Sequence, residues 1–127
     1  MGQNDAVSLP QNMAEVYALL IKTPGLCGEF ELVSDDEIHY SRGNLLLRAC
    51  AGWLGVYVVK KRRRELTHWH PDTAEEVYRD LLRIARKGNV LVVKTWFWGG
   101  SAEIIEPENS GKKIRRGLWK VYRFPAD

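Results

Sequence analysis

Between residues 29 and 60 the chain alternates apolar and polar residues in short runs, each cut off by two or three turn-forming residues. Phe30 and Leu32, with Val33 beside them, are followed by Ser34-Asp35-Asp36. In Glu37–Arg42, Ile38 and Tyr40 alternate against His39 and Ser41. Arg42-Gly43-Asn44 is a hairpin turn, Leu45–Ala49 a further run, Ala51-Gly52 a break, and Trp53–Lys60 a run rich in aromatic and β-branched residues. Connections this short join consecutive strands antiparallel, so this region reads as a meander. Glu65–Trp69 is a candidate further strand.

On either side the period changes from two to nearly four. Ser8-Leu9-Pro10-Gln11 has the form of a capping box, and Met13, Val16, Tyr17 and Leu20 follow as one helical stripe, ended by Thr23-Pro24-Gly25. Pro71-Asp72-Thr73 opens a second helix, with Asp72 or Thr73 as cap and Glu75 and Glu76 at the positive end of its dipole. Val77, Leu81, Ile84 and Ala85 form its apolar stripe, with Tyr78 and Leu82 beside it. Arg86, Lys87 and Gly88 suit its C-terminal end, Gly88 as the residue just past it. Val90–Trp98 then reads as a strand, Gly99-Gly100 as a turn and Ala102–Glu106 as a strand. Pro107–Lys113 reads as a polar loop, and Leu118–Phe124 as the closing strand. These elements predict an α+β fold: an antiparallel sheet of about six strands with two helices packed on one face.

All 127 residues fit a single domain, 1–127, with residues 1–7 as a loose tail. No apolar run approaches the roughly 20 residues of a membrane span, and the polar start lacks the pattern of a signal peptide. The expectation is a cytoplasmic protein that does not engage a membrane. Cys27 and Cys50 stand outside any CxxC pair, so both read as small buried thiols; a disulfide between them requires Cα atoms within about 7 Å. Residues 1–59 carry 3 basic and 7 acidic side chains, residues 60–127 carry 16 and 9. A surface polarised in this way steers a charged partner.

Several constellations are candidates for chemistry, each with a plainer alternative. The run Lys60-Lys61-Arg62-Arg63-Arg64 suits an acidic protein or a polyanion, or is a solvated strand end. Because strand side chains alternate, the five cannot all point one way. Lys112, Lys113, Arg115, Arg116, Lys120 and Arg123, interleaved with Trp119, Tyr122 and Phe124, fit either a nucleic-acid surface or core aromatics with a solvated face. His68-Trp69-His70 falls short of a metal site, which needs three or four ligands, and reads as the loop into the second helix with Trp69 as a lid. Asp35-Asp36-Glu37 is a turn, a cation site or a recognition patch for a basic partner. In a strand Trp96 and Trp98 share one face, which is either core or an aromatic anchor for a partner. Phosphate loops, dinucleotide fingerprints, zinc-protease motifs and nucleophile elbows are all missing. The expectation is a non-enzymatic protein without cofactor or metal.

Asp36–Tyr40, Gly52–Val59, the basic residues 60–64 and Glu75–Leu82 together resemble immunity proteins of bacterial polymorphic toxin systems, in particular those that neutralise NAD-degrading necrotizing toxins. The resemblance covers residues 36–82 and implies a protein that covers a cognate toxin's active site. Under this expectation the contacts are Arg62 and Arg63, Trp69 and His70, and Trp98 and Gly99. The alternatives from the residues themselves are a nucleic-acid-binding module using 60–64 and 112–123, and a secretion chaperone or adaptor that grips a segment along a sheet edge.

Overall fold

A computed structural model describes residues 9–109, 111 and 120–125. In chain order these form α1 (Met13–Lys22), β1 (Glu29–Ser34), β2 (Glu37–Arg42), β3 (Leu45–Cys50), β4 (Trp53–Val59) and β5 (Arg63–Trp69). There follow α2 (Ala74–Ala85), β6 (Val90–Trp96), β7 (Gly99–Ile105), a 3-10 turn (Pro107–Asn109) and β8 (Lys120–Pro125). The fold is α+β, as expected, but the strands form two antiparallel sheets rather than one of about six strands. The first is the meander β1-β2-β3-β4-β5; the second has the order β7-β6-β8. The meander follows from its turns, where Gly43 (φ +55°) and Gly52 (φ +82°) supply the left-handed conformation that tight connections need.

The first helix starts later than the Ser8 box predicts. Its cap is Asn12, whose side chain accepts from the Glu15 N–H at 2.9 Å, while the Glu15 carboxylate accepts from the Gln11 N–H at 2.7 Å. Ser8 lies outside the described residues. The second helix follows its sequence cues at the start. Thr73 accepts from Glu76 N–H at 3.1 Å, and Glu76 accepts from Asp72 N–H at 2.6 Å. It ends at Ala85, so Gly88 (φ +88°) serves the turn into β6 rather than the position just past the helix. There the buried Asn89 side chain donates to the Arg83 carbonyl at 2.7 Å, satisfying a helix-end acceptor.

One apolar core joins the elements. Met13, Val16 and Leu20 of α1 and Val77, Leu81 and Ile84 of α2 pack with Ile38, Tyr40, Leu47, Ala49, Leu54, Val56 and Leu66 of the large sheet and Leu91 and Val93 of β6. Trp69, Tyr122 and Phe124 pack at its margin. Strand alternation leaves the other face of the large sheet outside this cluster, carrying Glu37, His39, Arg48, Trp53, Tyr57 and His68.

The two sheets meet where β5 lies beside β7. A Cβ placed on Gly100 would stand 2.6 Å from the Leu66 carbonyl oxygen, 3.1 Å from that of Lys94 and 3.2 Å from Thr67 Cβ. Only a glycine lets the strands come this close. The expected turn therefore moves: Gly99 and Gly100 begin β7, and Phe97-Trp98 forms the turn. The expected strand through Trp98 ends at Trp96.

Candidate functional site

The β4–β5 and β6–β7 hairpins place their tips at one end of the molecule. Arg64 and Glu65 line a groove of about 520 Å³ whose opposite wall is Thr95, Trp96 and Gly99. Thr67–Trp69 and Ser101–Ile104 line a second groove of about 650 Å³ further along the same two strands. β5 and β7 thus advance together, and the turn 60–62 lies towards the same end as Phe97-Trp98. Lys120 joins this end through its pairing with Thr95, and the turn at Asn44 through the Val59 N–H bond to the Asn44 carbonyl at 2.8 Å.

This end is both aromatic and basic. Phe97 is 94% exposed and Trp98 68%. Their rings pack edge to face at 4.2 Å, with Trp98 also edge-on to Trp96 at 6.3 Å. Lys60, Lys61, Arg62, Arg63 and Arg64 are all exposed, and among the described residues none of the five forms a salt bridge. Strand alternation sends Arg63 and Arg64 to opposite faces, and a bulge in β5 just past the run sets which face each takes. The pairing passes from Tyr57↔Glu65 to Val56↔Thr67, leaving Leu66 as the extra residue, buried in the core. Arg63 consequently sits over the Tyr57 ring (5.9 Å) on the open face of the large sheet. Arg64 reaches the other way, bonding the Tyr122 hydroxyl with its guanidinium 5.9 Å from that ring.

The open sheet face carries a bonded network. Glu37 accepts from Arg48 Nε at 2.9 Å and lies 2.6 Å from His39 Nε2. The Arg48 bond, assisted by His39, holds the Glu37 carboxyl below its ordinary range despite partial burial. The Arg48 guanidinium lies 5.9 Å from the Trp53 ring and 5.8 Å from Tyr57. The Tyr57 hydroxyl, pushed up by burial, donates to Glu65 at 3.4 Å, and Glu65 lies 3.2 Å from His68 Nδ1. The His68 ring stacks beside Trp53 at 5.7 Å.

The six residues expected to contact a partner fall into three settings. Arg62 and Arg63 lie at the basic tip, and Trp98 and Gly99 at the aromatic one. Trp69 is half-buried, its indole N–H donating to Asp80 of α2 at 2.8 Å, which gives it the lid role. His70 is exposed at the far end of β5, where its Nδ1 lies 3.1 Å from the Gly52 carbonyl oxygen. The structure therefore gathers Arg62, Arg63, Trp98 and Gly99 at one end and separates Trp69 and His70 from them. Sequence reasoning missed Phe97 and the open-face pair Trp53 and Tyr57, and named Arg64 only as one of the run 60–64. The signal for Trp53 was available in Trp-x-Gly-x-Tyr, three residues that strand alternation sends to one face. No protein-family model matches the chain, and no curated protein or solved structure resembles it at a significant level.

The remaining candidates find local roles. Ser34 Oγ donates to Asp36 at 2.8 Å within the turn 35–36, and Glu37 is committed to Arg48. Cys27 and Cys50 are free thiols, each half-buried rather than fully buried. The rings of His68 and His70 meet edge-on at 5.2 Å, but among the described residues no group of three or more His, Cys, Asp or Glu is placed to hold a metal ion. Of the second basic segment, residues 112–119 lie outside the described residues. Its aromatics Tyr122 and Phe124 pack on the core, while Lys120 is exposed. Among the described residues no helix is long and apolar enough to cross a membrane.

Proposed function

We propose that this chain is a non-enzymatic binding protein, an inhibitor that covers the active site of a cognate toxin with the aromatic tip of β6–β7 and the basic turn of β4–β5. The observation that carries this reading is the exposure of Phe97 and Trp98, side by side on a hairpin tip beside a turn of exposed cations that form no salt bridge among the described residues. Large adjacent aromatics on a projecting turn bury little of their own surface in the free chain. Buried in a partner's cleft, such rings supply the dominant binding terms. The flanking cations fit a cleft of negative potential and accelerate encounter with it. The choice of a toxin as the partner follows the sequence expectation for residues 36–82.

The test is co-expression with the protein encoded beside this chain. Growth arrest by that protein alone, relieved by the chain, is the expected result. Phe97→Ala with Trp98→Ala should abolish relief and weaken binding by about 30- to 1000-fold while the circular dichroism stays that of the parent. Relief that survives both substitutions would remove the hairpin from the interface. A neighbouring protein that is neither toxic nor bound would remove the inhibitor assignment.

A further inference from the structure

The tip of β6–β7 leaves the open face of the large sheet unused, and that face has a different chemistry. The Trp53 indole lies across the backbone of Gly55: a Cβ there would stand 2.2 Å from its Cη2 atom and 2.8 Å from Cζ2 and Cζ3. An indole laid over a strand in this manner keeps its second face turned outward, and Trp53 is half-buried. Around it stand the His68 ring at 5.7 Å, the Tyr57 ring at 6.4 Å and the Arg48 guanidinium at 5.9 Å. Planar π surfaces interleaved with arginine are what unpaired bases stack upon.

The charges on this face favour the same occupant. Glu37 is held by Arg48 and His39, and Glu65 by Tyr57 and His68. The other acids on the face, Glu29 and Glu31, lie on edge strand β1, three strands from β4. From Trp53 to Val59 strand β4 rises about 20 Å. Arg63 covers Tyr57 on the way, and the turn Lys60–Arg62 follows. A row of stacking surfaces leading into exposed cations matches a polyanion that carries rings. An acidic peptide would use the cations and leave the indole idle.

We propose that the open face of the large sheet binds a single-stranded polynucleotide, with a base on the Trp53 indole and the phosphate chain led past Arg63 to Lys60–Arg62. This goes beyond the inhibitor assignment and rests on different residues, except for the shared basic turn.

The test is fluorescence anisotropy of the whole chain with labelled mixed-sequence 12-nucleotide RNA, the matching DNA strand, its duplex, and polyglutamate, between 50 and 200 mM salt. Single strands should bind better than duplex or polyglutamate, with log K falling against log salt at a slope of about −2, as for roughly three phosphate contacts. RNA above DNA would assign the source as RNA, and the reverse as DNA. Trp53→Ala should weaken single-strand binding about 5- to 100-fold and Trp53→Phe only a few-fold. Arg63→Glu should lower both affinity and salt slope, and Trp98→Ala should change neither. If Trp53→Ala fails to fold, Trp53→Phe and Arg63→Glu carry the test. No binding at 50 mM salt, equal binding of polyglutamate or duplex, or an affinity insensitive to both residues would overturn the proposal. The Trp98→Ala result keeps this outcome separate from that of the inhibitor assignment.

Discussion

Gly100 is the point at which the two sheets touch, and Gly100→Ala tests that contact with a single methyl group. In a strand, alanine should gain about 0.5–1 kcal/mol over glycine by restricting the unfolded chain. Against this, the new Cβ meets the Leu66 carbonyl oxygen at 2.6 Å and the Lys94 carbonyl oxygen at 3.1 Å. Both atoms belong to the main chain and neither can rotate away, so β7 must withdraw from β5. Overpacking of this kind costs about 1–3 kcal/mol, and a main-chain clash belongs in the upper half of that range. The expected net loss is about 1–2 kcal/mol. For a domain of this size that lowers Tm by about 4–8 °C and the urea midpoint by about 0.5–1 M. Urea unfolding followed by circular dichroism reads it directly, with Gly111→Ala as the control, because a Cβ there meets nothing within 4 Å. A Gly100→Ala chain as stable as its parent, or more stable, would refute the close approach of β5 and β7.

Two further substitutions test local bonds. Thr73→Ala removes the acceptor for the Glu76 N–H at the start of α2 and should cost about 1 kcal/mol in the same urea assay, with Thr73→Ser restoring most of it. Glu37→Gln removes the carboxylate that Arg48 holds and should cost about 1 kcal/mol near neutral pH. Because the folded Glu37 carboxyl titrates below its ordinary value of 4.5, its contribution is present above that pH and is lost as pH falls through the depressed folded value. The stability gap between parent and variant should therefore close as pH falls below about 4.5; a gap that persisted through that acid range would contradict the Arg48 bond.

What could be read from the sequence was what local rules determine. The turns at Asp35-Asp36, Gly43-Asn44 and Ala51-Gly52 set the meander without help from the rest of the chain. Thr73, one of the two caps the sequence offered, set the start of α2 by accepting from the Glu76 N–H. The capping box at Ser8 misled because Asn12 with Glu15 offers a competing cap nearer the apolar stripe. The division into two sheets was not legible, since β5 meets β7 at Gly100, some thirty residues further along the chain, and an approach across such a distance leaves no local periodicity. The same holds for Phe97-Trp98. Its neighbours Val90–Val93 are buried or nearly so, and the strand signal ran on through aromatic residues until the close packing of Gly100 forced the turn two residues earlier.

The basic run shows how one irregularity sorts function. Five consecutive cations on a regular strand and turn would spread over both faces with no assignment to either. The bulge at Leu66 changes the phase of β5 between Glu65 and Thr67, so Leu66 and Thr67 are both buried while Glu65 and His68 remain on the open face. The apolar demand of Leu66 for the core thereby sets where the two preceding arginines go. Arg63 is committed to Tyr57 and the open sheet, Arg64 to Tyr122 and the groove beneath the aromatic hairpin. The polynucleotide face and the hairpin tip consequently have separate arginines, while Lys60, Lys61 and Arg62 lie between them. A ligand on either surface draws on those three charges. Occupation of one surface therefore weakens the attraction of the other for a second anionic partner, by simple competition for the same cations.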